Sequence, residues 1–296
     1  MNLFDNLHDQ ACDGDVDGFM TGVSRALDCL SRESNPLSLS VLESDPSFIR
    51  IRDLAHQDPY TFRGFKKPRG YAGDAVLLDF IYGTAPVPEG TSEIGAKILA
   101  WCQQNSVAFS AVQERRALLA RQMTRAIRLN SRVQCLSVAC GHLRELALVE
   151  GATMDHFTVV AMDQDPLSLD VIKATYGKTV VPMRARIDGL IGGEATMEQQ
   201  FELITVAGLY DYLDSEAANR LTITLSGRLK PGGRLIISNF IDCWERGYMH
   251  YLMKWKLLYR TLEQVEAFAN GLGSEFSVEC GSDATNTIAY LTIDRR

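Results

Sequence analysis

A glycine and an aspartate that could take part in ligand binding each follow a short apolar run. Gly141 comes shortly after the run 133–138, and Asp163 follows the run 158–162, 22 positions beyond the glycine. Glycine at a strand-to-helix turn lets a ligand approach backbone N–H groups. An acid about 20 residues later matches the spacing at which a carboxylate accepts hydrogen bonds from ribose hydroxyls. The pair predicts a nucleotide-type site, although the other glycines of a dinucleotide fingerprint and the P-loop lysine are missing.

Several neighbours of this pair are further candidates for binding a cofactor. They are Ser137, Ala139, His142 and Gln164. Asp165 competes with Asp163, but its position before Pro166 predicts a helix N-cap instead. His142 either faces the cofactor or bonds to the backbone, whereas Arg144 and Glu145 are expected to make structural contacts at the helix start. Asp188, after the third run, could accept a hydrogen bond from an adenine amino group or be a solvated turn acid.

Aromatic and basic side chains form a second group of candidates, because rings can face a cationic ligand and guanidinium groups pair with carboxylates. The aromatic residues are Tyr71, Tyr210, Tyr212, Trp244 and Tyr248. Packing with a bonded hydroxyl is the alternative for each tyrosine, and Tyr71 and Tyr210 are preferred for the site. Arg69 either binds a carboxylate or pairs with Asp74. Of Arg115 and Arg116, one is expected to reach the site and the other to be solvated.

The elements that position these residues are predicted from hydrophobic periodicity. Helical spacing dominates the first 130 residues, and short apolar runs alternate with helical patterns from Val133 onward, which is typical of βαβ units and a parallel sheet. We expect a helical cap over residues 1–130, with an aromatic and basic loop at 60–74, and a binding domain over residues 131–296. The segments 276–280 and 287–293 predict a closing antiparallel pair.

Composition bounds the function further. The 296 residues carry a formal net charge of −7, which disfavours nucleic acid as a partner. The seven cysteines show no zinc-type spacing and predict reduced thiols, so no metal is expected. No run approaches membrane-spanning length and no targeting segment is evident. These features favour a cytoplasmic protein that acts on a small molecule; the oligomeric state is left open.

Two later segments carry a resemblance to a known family. They are 201–213, which ends in Ala-Gly-Leu-Tyr-Asp-Tyr-Leu, and 229–240, where Leu-Lys-Pro-Gly-Gly precedes an apolar strand. Together with Gly141 and Asp163 they resemble the class I methyltransferases that use S-adenosylmethionine (SAM). The resemblance implies an α/β, Rossmann-like sheet of seven strands with strand seven antiparallel, and SAM over the ends of strands one to four. The family usually has an acid at Ser137 and glycines at Ala139 and Leu143.

A narrower resemblance includes the segment 67–74 and the strand ending at Asn239 and Phe240. It is similar to the 3-hydroxypalmitic acid methyl ester synthases and to the methyltransferase-like azetidine-2-carboxylate synthases, which belong to secondary metabolism. Within this pattern the catalytic candidates are Tyr71, Tyr210, Asn239 and Arg69, and the cofactor set gains Ala207 and Arg115.

Three hypotheses for function follow. The first is in-line methyl transfer to a small acceptor such as a carboxylate, which requires alignment and exclusion of water more than acid–base groups. The second is cyclisation of SAM, in which its α-amine attacks the γ-carbon and methylthioadenosine leaves; the neutral Ser137 is compatible with this step. The third is a scaffold that binds SAM without turnover.

Overall fold

A computed structural model describes residues 3–33, 39–151, 156–191 and 199–296. The chain forms two compact units. Unit 1 contains Met1–Gln113 and Cys243–Leu257, and unit 2 contains Glu114–Asp242 and Leu258–Arg296. The chain therefore returns to unit 1 for a short excursion before it completes unit 2. The division of the chain into a cap and a binding domain at residue 130 stays a prediction.

Unit 1 is helical, as the periodicity of its sequence predicts. Its helices are α1 Leu3–Cys12, α2 Val16–Arg32, α3 Leu39–Leu42, α4 Pro46–Ala55, α5 Pro59–Lys66, α6 Ala75–Ile81 and α7 Glu93–Asn105, followed by the first part of α8 Val107–Leu129. Aspartate side chains at positions 45, 58 and 74 accept hydrogen bonds from the first turns of α4, α5 and α6. On α2, Phe19, Val23 and Leu27 are fully buried.

The segment predicted as the loop 60–74 is a loop only in its second half. Asp58 caps α5 and Pro59 occupies its first turn, so residues up to Lys66 are helical. This corrects the sequence prediction, which overlooked that Asp58-Pro59 is the same start signal as Asp165-Pro166. Lys67, in the left-handed region with φ of 51°, ends the helix.

Unit 2 contains a seven-stranded sheet within its described residues, in the strand order β3-β2-β1-β4-β5-β7-β6. The strands are β1 Val133–Val138, β2 Phe157–Asp163, β3 Val180–Arg184, β4 Phe201–Val206, β5 Leu229–Phe240, β6 Phe276–Ser282 and β7 Ile288–Arg295. Strands β1 to β5 pair in parallel, and β7 is antiparallel to both β5 and β6. This is the predicted sheet, with its antiparallel seventh strand.

Further helices follow the strands of unit 2. They are α9 Pro166–Tyr176, α10 Ile187–Ile191, α11 Ser215–Ser226 and α13 Leu262–Glu266, while α12 Arg246–Leu252 belongs to the excursion in unit 1. One sheet face is apolar: Leu136, Ile204 and Ile237 pack in one core with Leu221 of α11 and Val265 of α13. Alternation along each strand turns the neighbouring side chains to the other face. No described helix is both long and apolar enough to cross a membrane.

Candidate functional site

The site begins at the turn after β1, at the carboxyl edge of the sheet, where the parallel strands end. Gly141 and two non-glycine residues, Ala139 and Leu143, all have φ between 52° and 54°. The turn therefore keeps the left-handed backbone for which glycine is best suited, although two of these positions carry side chains. It leads into a short 3₁₀ helix, Arg144–Leu148.

Asp163 ties this turn to the end of β2. Its Oδ2 accepts a 2.8 Å hydrogen bond from the backbone N–H of Gly141, and its Oδ1 accepts one of 2.9 Å from Asp165. Burial raises the pKa of Asp163, while these backbone donors oppose that change. The buried carboxylate thus fixes the turn at the place where a ribose is expected.

Asp165 caps α9, as predicted. Its carboxylate accepts hydrogen bonds from the N–H of Leu167, at 3.0 Å, and from the hydroxyl of Ser168, at 2.7 Å. Gln164 lies between the two aspartates and is exposed. The strand end therefore offers one acid that holds the turn, one that caps a helix, and one exposed amide.

Arg115 of α8 is a buried cation of this region. Its side chain is 4% exposed, and its Nη1 has no hydrogen-bond partner among the described residues. The guanidinium lies beside Gly208, with both terminal nitrogens 3.6 Å from the point that a Cβ there would occupy. Gly208, at φ of 78°, follows Ala207 at the end of β4. Arg115 therefore reaches the carboxyl edge, whereas Arg116 is half-buried.

Two buried acids near Arg115 were not assigned to the site by the sequence analysis. Burial raises the pKa of Glu145 to about 7, and the charges of Arg115 and Arg116 oppose the shift. Burial raises the pKa of Asp211 to about 6, opposed by its hydrogen bond from the N–H of Phe240. Asp211 stood within the recognised motif, but only the fold brings Glu145 into the field of Arg115.

Three buried hydroxyls in unit 2 were also missed. Thr205 Oγ1, Ser238 Oγ and Tyr290 Oη, which we call the hydroxyl row, have no hydrogen-bond partner in the described part of the chain. Each lies inside a run that the sequence analysis assigned only to a strand. The alternation of each strand signals which face they occupy, but their lack of partners is visible only in three dimensions.

Two predicted catalytic residues have structural roles instead. Tyr210 packs on Phe268 within the apolar core, and its hydroxyl lies 2.9 Å from that of Thr222 on α11. Asn239 donates to the carbonyls of Phe240 and Leu258, and its Oδ1 accepts from Arg260 at 2.7 Å. Both side chains are fully buried with their polar atoms bonded, which corrects their assignment as catalytic.

The remaining cofactor candidates of unit 2 differ in exposure. Asp188 is 79% exposed and pairs with the equally solvated Arg186 at 2.9 Å, as the alternative of a turn acid predicts. His142 is buried, with Nδ1 3.5 Å from a guanidinium nitrogen of Arg144. Ser137 is buried in β1 opposite Thr205 of β4. The exposed Tyr212 lies at the surface.

The candidates of unit 1 are placed as follows. Arg69 and Tyr71 are half-exposed in the turn before α6, and their assignment to the site stays a prediction. Asp74, the alternative partner of Arg69, accepts two 2.8 Å hydrogen bonds from Arg63. Tyr248 is buried with its hydroxyl 2.8 Å from that of Thr61, as the packing alternative expects. The ring of Trp244 packs edge-on against Trp101.

Comparisons with known proteins extend the description of the fold. No protein-family model matches the chain, and no curated protein matches it. A solved structure from Bordetella parapertussis, described as a possible exported protein, is similar at a TM-score of 0.61 and 18% identity, and 96% of each chain is covered. The magnesium protoporphyrin IX methyltransferase of Synechocystis PCC 6803, solved with bound S-adenosylhomocysteine (SAH), is similar at a TM-score of 0.52 and 13% identity. That comparison covers 81% of this chain and 100% of the other. The fold is therefore the Rossmann-like methyltransferase fold.

Proposed function

We propose that unit 2 binds SAM at the carboxyl edge of its sheet and that the protein transfers the methyl group of SAM to a small-molecule acceptor. The observation that carries this proposal is the junction of Gly141 and Asp163, because it presents a strained turn and a buried carboxylate at adjacent strand ends. The SAH bound to the Synechocystis methyltransferase, which has the same fold, supports this choice of ligand.

The residues at this edge suit the parts of SAM. Asp163 retains acceptor capacity for the ribose hydroxyls, since each carboxylate oxygen has a second lone pair. Gln164 is exposed beside it, and Ala207 and Gly208 at the end of β4 have a small side chain or none. Arg115, with its orphaned nitrogen, suits an anionic group. These are the residues that would hold SAM.

SAM supplies an electrophilic methyl group on its sulfonium, so the protein has to align the acceptor and exclude water. Glu145 adds a proton acceptor. With a pKa raised to about 7 by burial, its carboxyl can take a proton from an acceptor at neutral pH. Within the described residues, no group of three or more His, Cys, Asp and Glu side chains could hold a metal ion.

One experiment tests the proposal. The purified protein is incubated with SAM alone and then with pools of small acceptors, including fatty acids and hydroxy acids, and the products are identified by mass spectrometry. SAH that forms only when an acceptor is present supports methyl transfer. Methylthioadenosine with azetidine-2-carboxylate, formed from SAM alone, would replace it with cyclisation. Binding of SAM without any product would favour a scaffold.

We also propose a cytoplasmic location, on the grounds of the cysteine pattern. The similar Bordetella protein is described as a possible exported protein, so cell fractionation is the direct check. Recovery of the protein outside the cytoplasm would contradict the proposal.

A further inference from the structure

The hydroxyl row lies on one face of the sheet. Thr205 of β4 pairs with Ile236 of β5, and Ser238 is two residues further along the same strand. Ser238 pairs in turn with Tyr290 of β7. Because residues i and i+2 of a strand point to the same face, and directly paired residues share it, the three hydroxyls face the same side. The apolar core occupies the opposite side.

Arg115 lies at the end of β4, the strand that carries Thr205. Its guanidinium contacts the position beside Gly208, three residues beyond Thr205. Burial raises the pKa of Tyr290, and the charge of Arg115 opposes that change. Arg115 is therefore close to the end of β4 and exerts its charge on a hydroxyl of β7.

Four buried polar atoms, Arg115 Nη1 and the three hydroxyl oxygens, have no hydrogen-bond partner within the described ranges of the chain, and such atoms are costly to bury. Thr205 and Ser238 are at most 2% exposed, Arg115 is 4% exposed and Tyr290 is 9% exposed. Buried polar groups in native proteins are almost always hydrogen-bonded, and a buried charge needs a partner. Several such atoms in one region therefore indicate that a bound ligand supplies their missing hydrogen-bond partners.

We propose that Arg115, Thr205, Ser238 and Tyr290 form a receptor for the carboxylate group of a small molecule. This inference rests on the proposed function, since the receptor adjoins the end of β4 where SAM is placed. A guanidinium donates two parallel hydrogen bonds to a carboxylate, and hydroxyls can donate to its remaining lone pairs. The charge of Arg115 acts on the carboxylates of Glu145 and Asp211, and these neighbouring acids favour a monoanion over a doubly charged phosphate.

The carboxylate has two sources, namely the amino acid part of SAM or the acceptor. Calorimetry with SAH and methylthioadenosine distinguishes them, because only SAH carries the carboxylate. The variants are Arg115→Gln and Tyr290→Phe, and the control is Arg125→Gln, which removes an exposed arginine from the same helix. If the source is SAM, Arg115→Gln weakens SAH binding about tenfold or more, Tyr290→Phe weakens it several-fold, and methylthioadenosine binds all variants equally.

If the source is the acceptor, SAH binds the variants as it binds the wild type. Acetate, octanoate and benzoate are then added to the SAH-saturated protein. At least one of them raises the melting temperature of the wild type and of Arg125→Gln but not of Arg115→Gln, and the matching amide has no effect. Either pattern supports the receptor.

The receptor is overturned if folded Arg115→Gln and Tyr290→Phe bind SAH, methylthioadenosine and all three acids as the wild type does. Ordered water would then be what satisfies the orphaned groups. If Arg115→Gln fails to fold, Ser238→Ala and Tyr290→Phe are judged by the same criteria. Failure of the wild type to bind either nucleoside would contradict the SAM site itself, whereas the acids added without nucleoside still test the receptor.

Discussion

Asp163 and Asp165 are two residues apart and have different structural roles. Asp163 holds the turn after β1 through the N–H of Gly141, and Asp165 holds the first turn of α9. Both carboxylates are buried, so burial alone does not separate them. Their hydrogen-bond partners distinguish the two carboxylates, because Asp163 is bonded to the glycine turn and Asp165 is bonded to α9.

Replacing Asp163 by alanine is expected to weaken SAM binding strongly, by about tenfold or more, because the ribose acceptor is lost and the turn is released. The N–H groups of Gly141 and Asp165 lose their acceptor, so the free energy of unfolding falls by about 1–3 kcal/mol. Calorimetry measures the first effect and urea unfolding the second.

Asp165→Ala is the matched control for this change. It removes an N-cap, which costs about 1 kcal/mol of stability, and is expected to leave SAM affinity within about threefold of the wild type. Equal loss of SAM affinity in both variants would contradict the assignment of Asp163 to the ribose.

Glu145 makes the stability of the protein depend on pH. Burial raises its pKa from 4.5 to about 7, so between these values the folded state holds a proton that the unfolded state has lost. The free energy of unfolding therefore decreases as pH rises through this window, by up to about 3 kcal/mol from this group. The flanking charges of Arg115 and Arg116 already oppose the shift.

Glu145→Gln removes this titration. Measured by urea unfolding, its stability relative to the wild type should be higher at pH 8 than at pH 5. Asp58 and Asp211, whose pKa values burial raises to about 6, remain in both proteins and largely cancel in the comparison. Parallel pH profiles of the two proteins would show that Glu145 ionises at its ordinary pKa.

At the scale of elements, strand alternation decides which residues of a recognised motif can serve the site. Asn239 shares a face with Ile237, and that face packs in the core, while Ser238 points to the other face of the sheet. Tyr210 likewise lies in the core. The motif located the end of β5 correctly, but the side chain named as catalytic is the one that turns to the core.

Helix α12 of the excursion packs on α2 through a close backbone contact. A Cβ at Gly247 would lie 2.1 Å from the carbonyl oxygen of Leu27 and 2.2 Å from its carbon. A side chain there requires the two helices to separate, since backbone atoms cannot rotate away. Only glycine allows this approach.

Gly247→Ala is therefore expected to lower the stability of unit 1 by about 1–3 kcal/mol. Helix propensity alone predicts the opposite, a gain of about 1 kcal/mol, so the sign of the change identifies the contact. Tryptophan emission during urea unfolding is the measurement, since Trp101, Trp244 and Trp255 all belong to unit 1. Gly281→Ala, where no atom lies within 4 Å of the new Cβ, should change stability little. A more stable Gly247→Ala would contradict the packing described.

For the whole molecule, the sheet could be predicted from the sequence because buried parallel strands are continuous apolar runs with turns between them. The contact between Gly141 and Asp163 could be expected because their spacing is typical of a glycine turn after one parallel strand and an acid at the end of the next. The hydroxyl row could not, since Thr205, Ser238 and Tyr290 are far apart in sequence and meet only through the register of β4, β5 and β7. Which of Arg115 and Arg116 reaches the carboxyl edge likewise could not be predicted, because the sequence does not show which side of α8 is buried.

The division of the sheet into a binding edge and an opposite edge gives a prediction for the whole chain. Saturating SAH should slow backbone hydrogen exchange at residues 139–143, 163–165 and 207–211, where the strands end. The N-terminal edge, at residues 130–133 and 156–158, should not respond. At 100 times its dissociation constant, SAH should also stabilise the protein by about 2.7 kcal/mol.

Hydrogen exchange followed by mass spectrometry on the full chain makes this comparison, with Asp163→Ala as the control that binds SAH weakly. In that variant a tenfold loss of affinity leaves SAH at about 10 times its dissociation constant, so the stabilisation by SAH should fall by about 1.3 kcal/mol and the protection at the carboxyl edge should weaken accordingly. Because parallel strands place all their carboxyl ends together, a ligand at this site cannot protect one edge through contacts at the other. Protection centred on residues 130–133 would place the ligand at the wrong end of the sheet and refute the site.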